Sequence, residues 1–321
     1  MGTLNQIVCL GAIGNTGVGT CNYNEAPYKW AILIPKNEVI TAANAVNFET
    51  YVTGKLVNNS AASRWRMIGM FRSMEETGRE EQSETFDDGF KAITADPTES
   101  TIYTIIGSSC AGKNLDDFDG QQDLYDVLYI DKNGIVLGQQ VTNATTGDLE
   151  IGGWPIDMLS VKVRTKPTYA ATARYRVEIL HTNPRQLIKN RAVIDCSNFR
   201  WSRIQTTYAV QNVTLLDGSS AVAGTHVFSV MGSCGNANLG KLFPTKLNAT
   251  ARWIVTNAST GVVKTVTSFT VAADGVITVV IPTPGAAGTQ YYLTSAGVTD
   301  WATDGMPYYE VQYPLLLTII S

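Results

Sequence analysis

Residues 124–137 constrain the fold more than any other part of the chain. Leu124-Tyr-Asp-Val-Leu-Tyr-Ile-Asp131 is one strand-like run and Ile135-Val-Leu137 is another. Lys132-Asn133-Gly134 stands between them. Asn-Gly is the dipeptide that best tolerates the left-handed backbone of a tight hairpin. The two runs are therefore expected to lie side by side and antiparallel. A parallel sheet does not turn back in this way, because its strands need a long crossover.

The remaining pattern extends this β reading. Lys29-Trp-Ala-Ile-Leu-Ile-Pro35 reads as a buried strand stopped by proline. Residues 64–71 partly alternate, residues 100–107 hold Thr-Ile-Tyr-Thr-Ile-Ile, and residues 158–163 and 173–180 make two further strands. Arg174-Tyr-Arg-Val-Glu-Ile-Leu180 alternates polar with apolar, so one of its faces is wet. Thr41 to Lys55 is the best helix candidate. Thr41 caps it, Ala42, Ala43 and Ala45 propagate it, Val46, Tyr51 and Val52 form a partial apolar face, and Gly54 marks its end. Before these elements, residues 1–28 form an arm rich in Gly and Asn, with too many turn-formers to hold a helix.

Composition shifts across residues 182–203. Beyond them charges thin out and β-branched residues dominate. Short strands are readable at 206–215, 226–231, 250–256, 262–271, 276–281, 290–294 and 308–320, with turn dipeptides at Asp217-Gly218 and Asp274-Gly275. Regular short strands separated by turns point to an immunoglobulin-like β-sandwich at 204–321. The expected class is mainly β: a sandwich or barrel with one flanking helix at 29–190, then this second sandwich.

Composition excludes several classes. Disorder is excluded, because 44% of residues are hydrophobic and the net charge is only -4. Charged residues make up 16% of the chain, against about 25% in average proteins. Few charges without an apolar excess suit a surface covered by copies of the same chain. His181 and His226 stand alone, without metal-ligand spacing, and read as surface or hydrogen-bonded strand residues. The five cysteines (Cys9, Cys21, Cys110, Cys196, Cys234) include no Cys-x-x-Cys pair, which speaks against a zinc site or redox motif. The first residues lack a basic region followed by an apolar core, and no apolar run approaches the ~18–20 residues of a membrane span. The expectation is a chain made in cytoplasm with free thiols and no membrane anchor.

Two stretches imitate ligand sites. Gly107-Ser-Ser-Cys-Ala-Gly112-Lys113-Asn114 has the frame of a phosphate-binding loop. Asn114 replaces the hydroxyl that would meet magnesium, and the acidic, turn-prone residues 115–120 replace the helix that would hold phosphate. Asp116, Asp117, Asp119 and Asp123 lack the order of an EF-hand and read as a solvated acidic loop. No catalytic residue, cofactor site or metal site is expected, and the chain is not expected to be an enzyme.

Charge, in contrast, is segregated along the chain. Residues 75–131 hold 15 Asp/Glu and 3 Lys/Arg, while residues 162–203 hold 10 Lys/Arg and 2 Asp/Glu. Three arrangements account for this. The two segments face each other within one monomer, or the basic segment binds nucleic acid, or the acidic patch of one copy meets the basic patch of the next. Head-to-tail contacts of the last kind build rings or open stacks. The candidate subunit-contact residues are Glu75, Glu76, Glu80, Glu81, Glu84, Asp87 and Asp88 on the acidic side, and Lys162, Arg164, Arg174 and Arg176 on the basic side.

Glu75-Glu-Thr-Gly-Arg-Glu-Glu-Gln-Ser-Glu-Thr-Phe-Asp-Asp-Gly-Phe-Lys91, a strand, and then Tyr125-Asp-Val-Leu-Tyr-Ile-Asp-Lys-Asn-Gly-Ile-Val-Leu-Gly138 resemble virion structural proteins of bacteriophages, notably those infecting Bacteroidetes. The layout over about residues 25–181 is most similar to tail tube (major tail) proteins. That resemblance implies a tail-tube-like β-sandwich or barrel with one flanking helix. It also implies hexameric rings stacked into a hollow tube, with a negatively charged lumen through which DNA passes without specific binding. An exterior immunoglobulin-like module at 204–321 and location in the virion tail, beside other phage tail or head proteins, are implied too. The alternatives are a head decoration or connector protein and a receptor-binding fibre protein. For the fibre, Tyr291, Tyr292, Trp301, Tyr308 and Tyr309 are candidate sugar-stacking residues, although such aromatics are more often core or interface.

Overall fold

The hairpin forms, with a different turn. In the computed structural model Tyr125–Asp131 pairs antiparallel with Val136–Thr142, Tyr129 opposite Leu137 and Ile130 opposite Val136. Gly134 takes the left-handed backbone (φ 87°), whereas Asn133 does not. The reversal is set by Asp131. Its Oδ1 accepts from the amides of Asn133 (2.8 Å) and Ile135 (2.9 Å), and its carbonyl accepts from the Gly134 amide (3.1 Å). An Asp that bonds backbone amides two and four residues ahead stabilises the reversal locally.

The structure describes residues 26–77, 84–87, 98–106, 115–162, 173–181, 187, 191–218, 224–232, 236–282, 284–302 and 305–320. It describes the backbone alone of Leu4–Gln6, Cys9–Leu10, Thr20–Cys21 and residues 82–83, 91–95 and 163–165. The chain divides into two units, Met1–Leu56 with Ser60–Gln205, and Val57–Asn59 with Thr206–Ser321.

The first unit holds two main sheets. The larger runs in the order Leu4–Gln6, Arg191–Ile194, Val136–Thr142, Tyr125–Asp131, Tyr28–Pro35, Arg66–Gly69. The smaller runs in the order Met158–Thr165, Arg174–His181, Glu99–Ile106, Phe71–Glu76. One core cluster draws Ala31, Leu33, Val127 and Tyr129 from the larger sheet and Tyr103, Ile105, Val161, Val177 and Ile179 from the smaller. Successive strand residues point to opposite faces. Ile32, Ile34, Leu128 and Ile130 are nevertheless fully buried too, so the central strands of the larger sheet are covered on both faces. Each such side chain contributes roughly 1.5–3 kcal/mol by leaving water.

One expectation needs correction, and two segments gain detail. The segment Thr41–Lys55 is helical but divided at Asn47 into Ala42–Val46 and Phe48–Leu56. Asn favours helix boundaries, and the Asn47 carbonyl accepts from the Tyr51 amide (3.1 Å), opening the second helix. Gly54 lies inside that helix, where an added Cβ meets nothing within 4 Å, so it is tolerated as a solvent-facing residue. The Thr41 cap is present, its hydroxyl accepting from the Asn44 amide (3.3 Å). The N-terminal arm, expected to hold no helix, carries short strands in its described part. Leu4–Gln6 is an edge strand paired with Arg191–Ile194. The acidic stretch from Glu75 to Asp88 also contributes strands. Glu75 and Glu76 end the strand Phe71–Glu76, and Gln82–Thr85 pairs with Lys91–Ala95 as a separate ribbon.

The second unit is a two-sheet β-sandwich. One sheet runs Ser268–Val271, Val276–Val280, Thr225–Gly232, Gln211–Asp217, Tyr309–Val311, and the other Val263–Lys264, Trp253–Asn257, Gln290–Ser295, Leu315–Thr318. Phe228, Trp253, Phe269 and Trp301 pack ring against ring in the core. Gln211–Val213 and Tyr309–Val311 pair parallel, a departure from the antiparallel rule of the other ladders. The helix Val298–Ala302 starts against Asn59, whose Oδ1 accepts from the amide and hydroxyl of Thr299 (both 3.1 Å).

Candidate functional site

The smaller sheet of the first unit brings the candidate acids and bases together. Directly opposed residues on neighbouring strands share a face. Glu75 is opposite Ile102, Ile102 opposite Glu178, and Glu178 opposite Ser160. Ser73, Thr104, Arg176 and Lys162 form another row on the same face. Ile106 and Arg174 fall in a third. This face is the one turned away from the core cluster, so Glu75, Lys162, Arg174 and Arg176 are all exposed on it. Glu76 is exposed at the edge, in register with buried Thr101.

One of these charges is already satisfied. Lys162 pairs with Glu178, whose other oxygen accepts from the Ser100 hydroxyl (2.7 Å). The Lys162 ammonium, followed by the Ser100 bond, holds the Glu178 carboxyl below its ordinary range against the opposing effect of burial. Glu178 belongs to the basic segment itself, so this pair does not join the acidic segment to the basic one. Among the described residues, Glu75, Glu76, Arg174 and Arg176 form no ion pair within the chain. Arg176 sits directly opposite Lys162, a like-charge pairing that costs a few tenths of a kcal/mol to about 1 kcal/mol.

The other candidates scatter. Glu84 is exposed on the ribbon strand and Asp87 is exposed just beyond it. Arg164 lies on the strand Met158–Thr165. Glu80, Glu81 and Asp88 lie outside the described residues, as does the phosphate-loop-like stretch 107–114. The strand preceding that stretch sits in an antiparallel sheet, and Tyr125–Asp131 sits in a different one. That is not the shared parallel sheet a phosphate-binding loop requires.

The two edges of the smaller sheet differ. Among the described residues, Phe71–Glu76 forms a ladder with Glu99–Ile106 alone. Met158–Thr165 is covered over part of its length. Asp119 Oδ1 accepts from the Val161 amide (2.7 Å), and the Gly120 amide donates to the Leu159 carbonyl (2.9 Å). Asp119 was read above as a solvated acid. It is exposed as expected and also blunts a sheet edge, a role the sequence does not reveal because it needs residues 42 apart. The edge beyond Lys162 has no such cover among the described residues.

Behind this face lies a buried polar link that sequence reasoning missed. His181 Nδ1 donates to the Pro155 carbonyl (2.7 Å), which can only accept. Nε2 is then the acceptor, and the Tyr129 hydroxyl donates to it (2.9 Å). The Tyr103 ring packs beside Tyr129, centroids 6.0 Å apart. The link therefore joins the two sheets. Burial lowers the His181 pKa and raises those of both tyrosines.

In the second unit Tyr291, Trp301 and Tyr309 are buried core residues and Tyr308 is half-buried. Tyr292 alone of the five is openly exposed, at 44%. A sugar-stacking platform built on these five aromatics is not present. Among the described residues no cluster of three or more His, Cys, Asp or Glu is arranged to hold a metal, and no helix is long and apolar enough to cross a membrane. No protein-family model matches the chain, and no curated protein matches it either.

Proposed function

We propose that this chain is a self-assembling structural protein, a component of stacked rings in a phage tail tube, and not an enzyme. One observation carries the reading: a single sheet bears unpaired exposed acids at its edge and unpaired exposed bases on an interior strand. Exposed charges contribute little within a monomer, about 0–1 kcal/mol per pair. Opposite patches on one molecule suit head-to-tail contact, in which the same pair of surfaces recurs at every interface.

Strand count supports a ring. The four strands alternate in direction, so the two edge strands run opposite to each other. Copies related by rotation can continue the sheet edge to edge with every pairing antiparallel. A stagger of two residues sets Glu75 of one copy beside Lys162 of the next, where the two carboxylates Glu75 and Glu178 would share one ammonium, on the part of that edge left open beyond Val161. Closed barrels require such a stagger. Arg174 and Arg176 lie one strand inward and take a partner that approaches the face, such as the acidic ribbon of another copy.

The test is negative-stain electron microscopy with light scattering across a concentration series of the purified chain. Rings or tubes with a central channel are the expected result. A particle that stays monomeric at all concentrations rejects self-assembly. A discrete trimer favours the fibre alternative.

A further inference from the structure

The strands Cys9–Leu10 and Thr20–Cys21 pair antiparallel, and their register sets Cys9 directly opposite Cys21. Directly opposed residues of an antiparallel ladder have Cα atoms about 4.5 or 5.5 Å apart, according to the type of site. A disulfide spans Cα separations of about 4.4–6.8 Å. Both kinds of site satisfy that window, so the register brings the two backbones within the reach of a disulfide. The chain has five cysteines, and a two-residue ladder makes two of them partners.

We propose that Cys9 and Cys21 are a redox-responsive pair that closes to a disulfide on exposure to a small oxidised disulfide such as glutathione disulfide. One cysteine thiolate attacks a sulfur of the reagent, forming a mixed disulfide and releasing one small thiol. The second thiolate then attacks the protein sulfur of that mixed disulfide, forming the Cys9–Cys21 bond and releasing the second small thiol. Two cysteines are oxidised, the reagent's S–S bond is reduced to two thiols, and the two protons end on those thiols. The closed loop includes Gly11, Gly14, Gly17 and Gly19. A cross-link acts mainly by removing freedom from the open chain, and glycine-rich chain has the most freedom to lose. The oxidised form therefore holds the two short strands together where the reduced chain must offset that entropy with a two-residue ladder.

The sequence makes the test direct, because no Lys or Arg precedes Lys29 and the tryptic peptide Met1–Lys29 contains both cysteines and no others. The full-length chain is treated with graded glutathione disulfide, blocked with an alkylating agent, digested and weighed without reduction. The expected product is Met1–Lys29 lighter by two hydrogens and carrying no alkyl group. Cys9→Ser should trap Cys21 as a stable glutathione adduct, and Cys21→Ser should trap Cys9. The same reaction in denaturant separates fold from mere nearness in sequence. Closure should need several-fold more reagent there than in buffer. Glutathione on both cysteines without closure, closure to Cys110 or Cys234 as readily, or equal closure in denaturant each overturns the proposal.

Discussion

The two sheets of the first unit share a core and are built for different tasks. Tyr28–Pro35 and Tyr125–Asp131 are buried on both faces at their centres. Arg174–His181 buries one face and exposes Arg174 and Arg176 on the other. The two sheets thus separate into a layer that supplies stability and a layer that presents charge. The lesson is that the wet sheet can change its surface without loss of the fold, because its core side and the larger sheet carry the apolar burial.

The largest effect should come from the buried layer. Leu128→Ala removes a fully buried side chain and should cost about 2–5 kcal/mol in denaturant unfolding. Arg176→Ala, on the wet layer, should stay within about 0.5 kcal/mol. Equal losses at the two sites would erase the contrast. Next, the double variant Arg174→Glu with Arg176→Glu should weaken assembly by light scattering while the unfolding midpoint of the monomer stays put. Unchanged assembly would return these arginines to a purely solvated role.

Acid should probe the link between the layers. The His181 pKa is lowered by burial, so below its ordinary value of 6.5 the unfolded chain takes up a proton that the folded chain refuses. Its contribution is complete above that value and declines as pH falls toward the folded pKa. Glu178 has the same sign at lower pH, its contribution declining below its ordinary value of 4.5. Burial lowers the His226 pKa as well, so stability measured from pH 8 to 4 should fall in two stages, and His181→Phe should shrink the first rather than abolish it. A single stage below pH 5 in the native chain would deny His181 that role. The smallest change should follow Lys162→Ala. Its side chain is 52% exposed, so losing the pair with Glu178 should cost no more than about 1 kcal/mol. A larger loss would show that the wet face carries structural weight.

Much of this was legible along the chain. The hairpin at 125–142, the wet face of Arg174–His181 and the Thr41 cap all follow from period-two alternation, turn chemistry and capping, which act within a few residues. The division at Asn47 was missed because alanines on one side and an apolar stripe on the other imitate a continuous helix. The ribbon at 82–95 was missed because its acidic residues mask a weak strand pattern.

What the sequence alone determined is therefore local: which segments extend, where they reverse, and which positions alternate between core and water. It also determined the segregation of charge, since that needs only counting. The tertiary structure decided which strands became neighbours, and with them the meaning of the charges. Glu75 and Glu178 share a face because Phe71–Glu76 and Arg174–His181 both pair with Glu99–Ile106. Asp119 covers an edge and Tyr129 meets His181 for the same kind of reason. Such pairings bridge tens of residues, and no short-range rule selects among them. They are chosen by joint burial of apolar faces, a property of the assembled core that no single segment carries.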